Sequence, residues 1–185
     1  MAEYPDRPSG EEKPPRFQVH PLTSPQDREG RAFVHYQAWR ETYPGLMPEE
    51  VLAGHTLERC RKLANDRRFS NSGNTFVALD REDGDRVVGF AALSHHARDF
   101  VSVEDAGEIV ALYVLRDFQG LGLGKDLLEH CLARLPRSRI ALFVLRGNEK
   151  AIGFYQHMGF RFTGHELTQN GMTELEMVLE KNPGR

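Results

Sequence analysis

The chain has 185 residues, of which 28% are charged and 39% hydrophobic, and its formal net charge is −3. This length predicts one domain, or one domain with a tail. The slight excess of acidic residues argues against a nucleic-acid-binding protein, which usually has a basic face. No apolar run approaches the roughly 20 residues that a membrane-spanning helix needs, so we expect no membrane segment.

The two cysteines, Cys60 and Cys131, lie in segments with helical spacing. Neither belongs to a CxxC pair or to the Cys/His spacing of a zinc site, so the sequence predicts no metal centre. Nothing calls for an oxidising compartment. Residues 1–15 contain four prolines and lack the apolar segment of a signal peptide. We expect residues 1–15 to be a disordered tail, residues 16–181 to form the domain, and the protein to be cytoplasmic.

The first part of the domain is predicted to contain a strand followed by helices. Arg16 to Leu22 alternates in character as a half-buried strand does. Ser24 and Pro25 have the chemistry of a helix start, with Ser24 as the N-cap and Pro25 at the first helical position. Pro44-Gly45 ends this helix, and helical spacing resumes from Glu49 to Phe69.

The remainder of the chain alternates strands, turns and helices. Asp83-Gly84 and Asn170-Gly171 are the turn dipeptides of two β-hairpins. The strand that begins at Glu108 is almost continuously apolar, which is typical of burial on both faces. The predicted strands cover residues 75–79, 86–94, 108–115, 140–145, 160–167 and 172–179, and the predicted helices cover residues 120–135 and 148–158.

The predicted order of elements is β, α, α, β, β, β, α, β, α, β, β. This order indicates an α/β fold with a mixed, mostly antiparallel central sheet and flanking helices. The strand–helix–strand unit from Glu108 to Leu145 should be parallel and right-handed, because nearly all such crossovers in a twisted sheet have that hand.

A glycine-rich segment, Gln119 to Lys125, joins the strand of this unit to its helix. The first turn of a helix has free N–H groups and a positive dipole end, and glycines let a ligand approach the backbone, so the segment suits a pyrophosphate. A turn that only permits tight packing fits equally well. A Walker loop would need glycine in place of Gln119 and serine or threonine in place of Asp126. A GxGxxG fingerprint would need glycine in place of Lys125, so both motifs are absent.

The segments around this turn resemble conserved motifs of the GNAT superfamily of N-acetyltransferases. The spacing Gln119-x-x-Gly122-x-Gly124 is that of motif A, and Asn148 and Tyr155 stand at motif B positions. The likeness extends from about Phe17 to Leu179 and implies the acyl-CoA N-acyltransferase fold. It also implies transfer of an acetyl group from acetyl-CoA to a primary amine. The segments that carry the resemblance are Ala38–Pro48, Glu108–Gly124 and Leu142–Phe160.

The resemblance implies an acetyl-CoA site built mainly from main-chain groups. The pantetheine arm would pair with the strand that holds Leu112 and Val114, as an added strand does. A β-bulge, which is common in this strand of the family, would change which backbone groups face the cofactor. The residues implied to bind acetyl-CoA are Leu112, Val114, Gln119, Gly120, Gly122, Gly124, Lys125 and Asn148, the last of which also caps a helix.

Acetyl transfer to an amine requires two proton transfers. An amine with a pKa of about 10 is mostly protonated at neutral pH and must lose a proton before it can attack, and the leaving thiolate must be protonated or stabilised. The resemblance implies Glu108 as the base, directly or through water, and Tyr155 as the general acid. An exposed acid at a strand start and a core aromatic are the alternatives for these two residues.

The acceptor side is less defined. Trp39 and Tyr43 lie one helical turn apart and are candidate walls of a substrate pocket, although core packing explains them equally well. We expect a small-molecule or peptide amine as the acceptor, without a nucleic-acid or membrane partner, and the family also includes many homodimers. The main alternative is a non-catalytic acyl-CoA-binding or regulatory module, because a fold does not by itself establish an activity.

Overall fold

The computed structural model describes residues 15–66 and 73–181. Except for Pro15, the tail predicted for residues 1–15 lies outside the described residues, as does the end of the helix predicted to reach Phe69. In chain order the elements are β1 (Phe17–Pro21), α1 (Pro25–Thr42), α2 (Glu49–Gly54), α3 (Leu57–Asn65), β2 (Thr75–Asp80), β3 (Arg86–Ser94), β4 (Gly107–Val114), α4 (Leu123–Arg134), β5 (Arg139–Leu145), α5 (Glu149–His157), β6 (Arg161–Gln169) and β7 (Met172–Glu180).

Helix α1 begins as its sequence predicts. The Ser24 side chain accepts a hydrogen bond from the backbone N–H of Asp27 (3.0 Å), and the Asp27 carboxylate accepts one from the N–H of Ser24 (2.8 Å). These reciprocal bonds form a capping box, which satisfies N–H groups that the helix itself cannot pair. Pro25 follows in the first turn, where its missing N–H has no cost.

The segment predicted as one helix from Glu49 onward forms two helices, α2 and α3. The second begins because the Thr56 side chain accepts a hydrogen bond from the N–H of Arg59 (3.2 Å) and caps a new helix start. The spacing of apolar residues continues through this break and therefore did not reveal it. Helix α3 packs on α1 through a small cluster of Ala32, Cys60 and Ala64.

Seven strands form one sheet in the order β1-β2-β3-β4-β5-β7-β6. Every neighbouring pair is antiparallel except β4 and β5, which are parallel. The predicted fold class, including its parallel β4–α4–β5 unit, is therefore confirmed. Helices α4 and α5 pack into the main core on one face, and α1 packs into a second cluster with Val77 and Phe90 on the other face. Within the described ranges, no helix is both long enough and apolar enough to cross a membrane.

The parallel pair opens partway along its length. Strands β4 and β5 are paired only from Gly107↔Ile140 to Ile109↔Leu142. Beyond that point they separate, although β4 remains beside β3 and β5 remains beside β7. In the described part of the chain, the two facing strand edges then have no strand partner. The result is a gap between the two strands, and its edges carry backbone N–H and C=O groups that a ligand could pair with.

Candidate active site

The gap between β4 and β5 opens into a cavity of about 850 Å³, a volume typical of small-molecule sites. Its walls come from the end of α1, from β4, from the segment before α4, from β5 and α5, and from β7. Glu108 is the one predicted site residue that does not contribute to them. The predicted residues that line the cavity are Trp39, Tyr43, Leu112, Val114, Gln119, Gly120, Gly122, Gly124, Lys125, Asn148 and Tyr155.

The backbone of β4 is turned so that Leu112 and Val114 face the gap. The N–H of Leu115 donates to the carbonyl of Val88 on β3 (3.0 Å), and hydrogen-bonding direction alternates along a strand. The backbone groups of residues 112 and 114 therefore point away from β3. The register against β3 shifts by one residue at Val110, which is the β-bulge that the family resemblance anticipated.

The Gln119 side chain closes one end of this strand edge. Its Nε2 donates to the carbonyl oxygen of Val114 (2.8 Å), and its Oε1 accepts a hydrogen bond from Lys150 Nζ (2.5 Å). A ligand that paired with β4 would compete with this amide for the Val114 carbonyl. The Gln119 side chain thus stands where an added strand would end.

The start of α4 has the properties of an anion site. Gly120 and Gly122 have φ angles of 81° and 87°, which side chains with a Cβ rarely adopt. A Cβ atom built at either position meets no heavy atom within 4 Å, so the space beside this backbone is open. The first N–H groups of the helix and its dipole favour a phosphate there. Lys125 also lines the cavity, although its Nζ lies 3.8 Å from Glu129.

Helix α5 brings two predicted residues to the cavity. The Asn148 side chain accepts a hydrogen bond from the N–H of Ala151 (3.2 Å) and caps the helix as predicted. Tyr155 is 8% exposed, and its ring lies 5.2 Å from that of Phe154 and 5.7 Å from that of Phe160. Burial raises the pKa of the Tyr155 phenol. Its hydroxyl is therefore protonated at neutral pH and can act as a proton donor.

Glu108 lies outside the cavity wall. Its side chain is completely buried, and Arg98 Nε lies 2.9 and 3.1 Å from its two oxygens, while the Arg98 backbone N–H donates at 3.1 Å. Both carboxylate oxygens are thus engaged by Arg98, and the side chain does not line the cavity where a ligand would bind. The geometry therefore argues against the catalytic role predicted for Glu108. Glu108 lies in the strand that the sequence predicted. The sequence did not indicate in which direction its side chain points.

A different carboxylate, that of Glu174, lines the cavity. Glu174 pairs with Leu145 across β7 and β5, and among the described residues its carboxylate has no hydrogen-bond or ion-pair partner. Burial raises the pKa of Glu174, the charge of Arg98 opposes this shift, and the charge of Glu108 adds to it. A carboxylate with a raised pKa is better suited to accept a proton near neutral pH. The sequence did not indicate Glu174, since acids that alternate along a strand usually belong to a solvated face.

Two tyrosine hydroxyl groups line the same cavity as Glu174. Trp39 Nε1 donates to the Tyr113 hydroxyl (3.0 Å), and the Tyr43 hydroxyl lies 3.4 Å from that of Tyr113. Burial raises the pKa of Tyr43 and Tyr113, and the charge of Glu174 contributes to both shifts. Aromatic faces beside a carboxylate suit a cationic amine. Tyr113 also lines the cavity, and it meets Trp39 because α1 packs on this face of the sheet.

Comparisons with known proteins identify a family and a fold for this chain. Residues 32–160 match the sequence profile of the Acetyltransferase (GNAT) family. The peptidyl-lysine N-acetyltransferase YjaB of Escherichia coli strain K12 is 34% identical over 98 residues, which are 53% of this chain and 56% of that protein. The matched part of the chain thus spans little more than half the length of this relative.

Two solved structures have the same fold. The PH1933 protein of Pyrococcus horikoshii OT3 has a TM-score of 0.68 and 24% identity, covering 90% of this chain and 99% of that one. The PaiA N-acetyltransferase of Thermoplasma acidophilum, solved in complex with coenzyme A, has a TM-score of 0.62 and 20% identity, covering 86% of this chain and 97% of that one. At these identities the likeness establishes the fold alone.

Proposed function

The chain belongs to the Acetyltransferase (GNAT) family, and from this premise we propose that it is an acetyl-CoA-dependent N-acetyltransferase acting on a primary amine. The observation that carries the proposal is the gap between β4 and β5. It combines in one cavity a strand edge, an anion-binding helix start and a protonated phenol. These are the features that a thioester with a peptide-like arm and a pyrophosphate requires.

The cofactor is proposed to lie along β4 as an added strand. Its amide groups would pair with the backbone of Leu112 and Val114, after the Gln119 amide has released the Val114 carbonyl. The pyrophosphate would lie on the N–H groups from Gln119 to Lys125. Asn148 lines the same cavity and would contact the arm from α5. The complete set of proposed cofactor contacts remains Leu112, Val114, Gln119, Gly120, Gly122, Gly124, Lys125 and Asn148.

The acceptor amine is proposed to attack the thioester carbonyl carbon directly. The acceptor ammonium first gives one proton to Glu174, directly or through water, which leaves a neutral amine that can attack. A C–N bond then forms as the C–S bond breaks, Tyr155 gives a proton to the departing sulfur, and the second amine proton restores the Tyr155 hydroxyl. A covalent intermediate on a cysteine is disfavoured. Burial raises the pKa of Cys60 to about 11 and that of Cys131 to about 12, and neither residue lines the cavity.

The acceptor is proposed to be a small-molecule or peptide amine that enters as a cation. Glu174 supplies the opposite charge, and Trp39, Tyr43 and Tyr113 supply aromatic surfaces. The peptidyl-lysine specificity named for the Escherichia coli relative is consistent with a primary amine. A lysine side chain or a free aliphatic amine both meet these requirements.

Calorimetry with acetyl-CoA, followed by a thiol-release screen over an amine library, tests this function. We expect acetyl-CoA to bind and at least one primary amine to release free thiol. Failure of acetyl-CoA to bind at millimolar concentration would overturn the proposal. Binding without thiol release from any amine would instead support a non-catalytic acyl-CoA-binding module, an alternative that the burial of Glu108 keeps open.

A further inference from the structure

Three side chains with metal-binding groups converge behind the acceptor wall of the cavity. His35 comes from α1, His55 from the connection between α2 and α3, and Cys60 from α3. Their ligand atoms all lie within 4.8 Å of one another. Cys60 Sγ is 3.2 Å from His55 Nε2, and the rings of His35 and His55 are 4.6 Å apart. His55 and Cys60 are buried, at 5% and 1% exposure.

We propose that His35, His55 and Cys60 form a binding site for one thiophilic divalent cation, with Zn²⁺ as the best fit. Two imidazoles and a thiolate form a donor set that Zn²⁺ accepts, and water can take the fourth tetrahedral position. Zn–N and Zn–S bond lengths put such ligands about 3.5 Å apart. The His55–Cys60 distance already agrees with this value. The other separations are at most 4.8 Å, so a bound cation would draw these ligand atoms together by up to about 1.3 Å.

The donor chemistry suits a cation. A neutral imidazole has one ring-nitrogen lone pair for a metal ion, and His55 Nε2 lies 3.4 Å from the His35 carbonyl oxygen, so a bound cation would replace that contact. A thiol binds a metal ion as the thiolate. Binding of one cation would therefore release one proton into solution and form one metal–thiolate bond.

The surrounding charges make the thiolate essential to this site. Arg31 and Arg59 both act electrostatically on His35 and on Cys60. A divalent ion held by neutral ligands alone would bring two uncompensated positive charges into an already positive region. The Cys60 thiolate cancels one of them. Loss of this thiolate should therefore abolish binding, whereas loss of one imidazole should weaken it.

His55 links the site to the acceptor pocket. Its ring stacks on Trp39 with centroids 3.7 Å apart and an interplanar angle of 10°. Trp39 is the only tryptophan of the sequence, and it lines the cavity and donates to Tyr113. A metal ion bound by His55 would change the surroundings of this indole. Intrinsic fluorescence therefore reports on the site without an activity assay.

The test is a Co²⁺ titration of the full-length protein after removal of metals with a chelator. We expect near-ultraviolet thiolate-to-cobalt absorption that saturates at one metal per chain, a parallel change in Trp39 fluorescence, and displacement of cobalt by Zn²⁺. The absorption should be absent in Cys60→Ser and retained in Cys131→Ser. Cys131 is the matched control, because it is the other buried thiol and belongs to the main core on α4.

Two results of the titrations of the wild type and of Cys60→Ser would overturn the site. One is the absence of thiolate-to-cobalt absorption in the wild-type protein, in which case the three residues only pack together. The other is the same absorption in Cys60→Ser as in the wild type. If circular dichroism shows that Cys60→Ser does not fold, His35→Gln replaces it, because His35 is only half-buried. This variant should bind Co²⁺ at least about tenfold more weakly, and unchanged affinity would also overturn the three-ligand site.

Discussion

The cofactor side and the acceptor side of the cavity are built in different ways. The proposed cofactor side consists mostly of backbone groups from one stretch, Ile109 to Lys125, with the start of α5 beside it. The proposed acceptor side consists of side chains from distant parts of the chain, namely Trp39 of α1, Tyr43 directly after α1, Tyr113 of β4 and Glu174 of β7. Backbone sites require glycines at fixed spacing, whereas side-chain sites require only that distant residues converge.

This difference explains why one side is recognisable in the sequence and the other is not. A cofactor held by main-chain groups constrains a local motif, so Gln119 and the glycines that follow it identify the family. An amine held by side chains can be selected by residues that share no motif. Under the proposed function, the cofactor side would therefore indicate the reaction class, and the acceptor side would determine which amine is used.

The largest expected effect concerns Tyr155, the proposed proton donor where the two sides of the cavity meet. Tyr155→Phe should lower kcat by about 100- to 1,000-fold, because it removes the proton donor for the leaving thiolate. It should leave the KM for acetyl-CoA nearly unchanged, since the ring keeps its packing against Phe154 and Phe160. Steady-state thiol release measures both values. Tyr36→Phe, on the α1 surface that packs toward α3, is the control and should have normal kinetics; an equal kcat in both variants would remove Tyr155 from the mechanism.

A smaller effect should distinguish the two carboxylates. Glu174→Gln should lower kcat/KM by about 10- to 100-fold and abolish the acidic limb of the pH–rate profile. Only the ionised carboxylate accepts a proton, so wild-type activity should rise as pH increases through the pKa of Glu174. Because burial raises that pKa, the acidic limb should lie at a higher pH than the ordinary glutamate pKa of about 4.3.

Glu108→Gln is the matched variant for this comparison. It should keep the acidic limb but lower the free energy of unfolding by about 1–3 kcal/mol, because Arg98 would lose charge-assisted hydrogen bonds. Urea denaturation and the pH–rate profile test the two statements separately. Loss of the limb in Glu108→Gln but not in Glu174→Gln would instead support the base that the family resemblance implies.

The smallest effect concerns the anion site. Gly122→Ala should raise the KM for acetyl-CoA about 3- to 10-fold with little change in kcat, because the strained backbone, with φ at 87°, would shift the amides of the first helical turn. Gly84→Ala is the control, since Gly84 also has a positive φ and open space around it but lies in the β2–β3 hairpin. Gly122→Ala and Gly84→Ala should lose similar amounts of thermal stability. A change in the KM for acetyl-CoA in both variants would refute a specific role for Gly122.

The helix boundaries show where local sequence information ends. The capping chemistry of Ser24 and Asn148 lies within three residues of each helix start, and both caps are present as predicted. The break at Thr56 was missed because the apolar spacing runs through it, while a single side-chain hydrogen bond starts the new helix. Local patterns thus predict elements well when the deciding contact is local and stands out from its surroundings.

The sequence alone was sufficient for the fold class and the glycine-rich turn, because periodicity, capping and positive φ angles depend on neighbouring residues. The resemblance of its motifs to those of known acetyltransferases indicated the family. The tertiary structure decided that Glu108 faces Arg98 and that Glu174 faces the cavity, since strand pairing and a bulge set the direction of each side chain. It also decided that His35 meets His55 and Cys60. The packing of α1 on α3 joins residues whose spacing in the chain resembles no metal-binding motif.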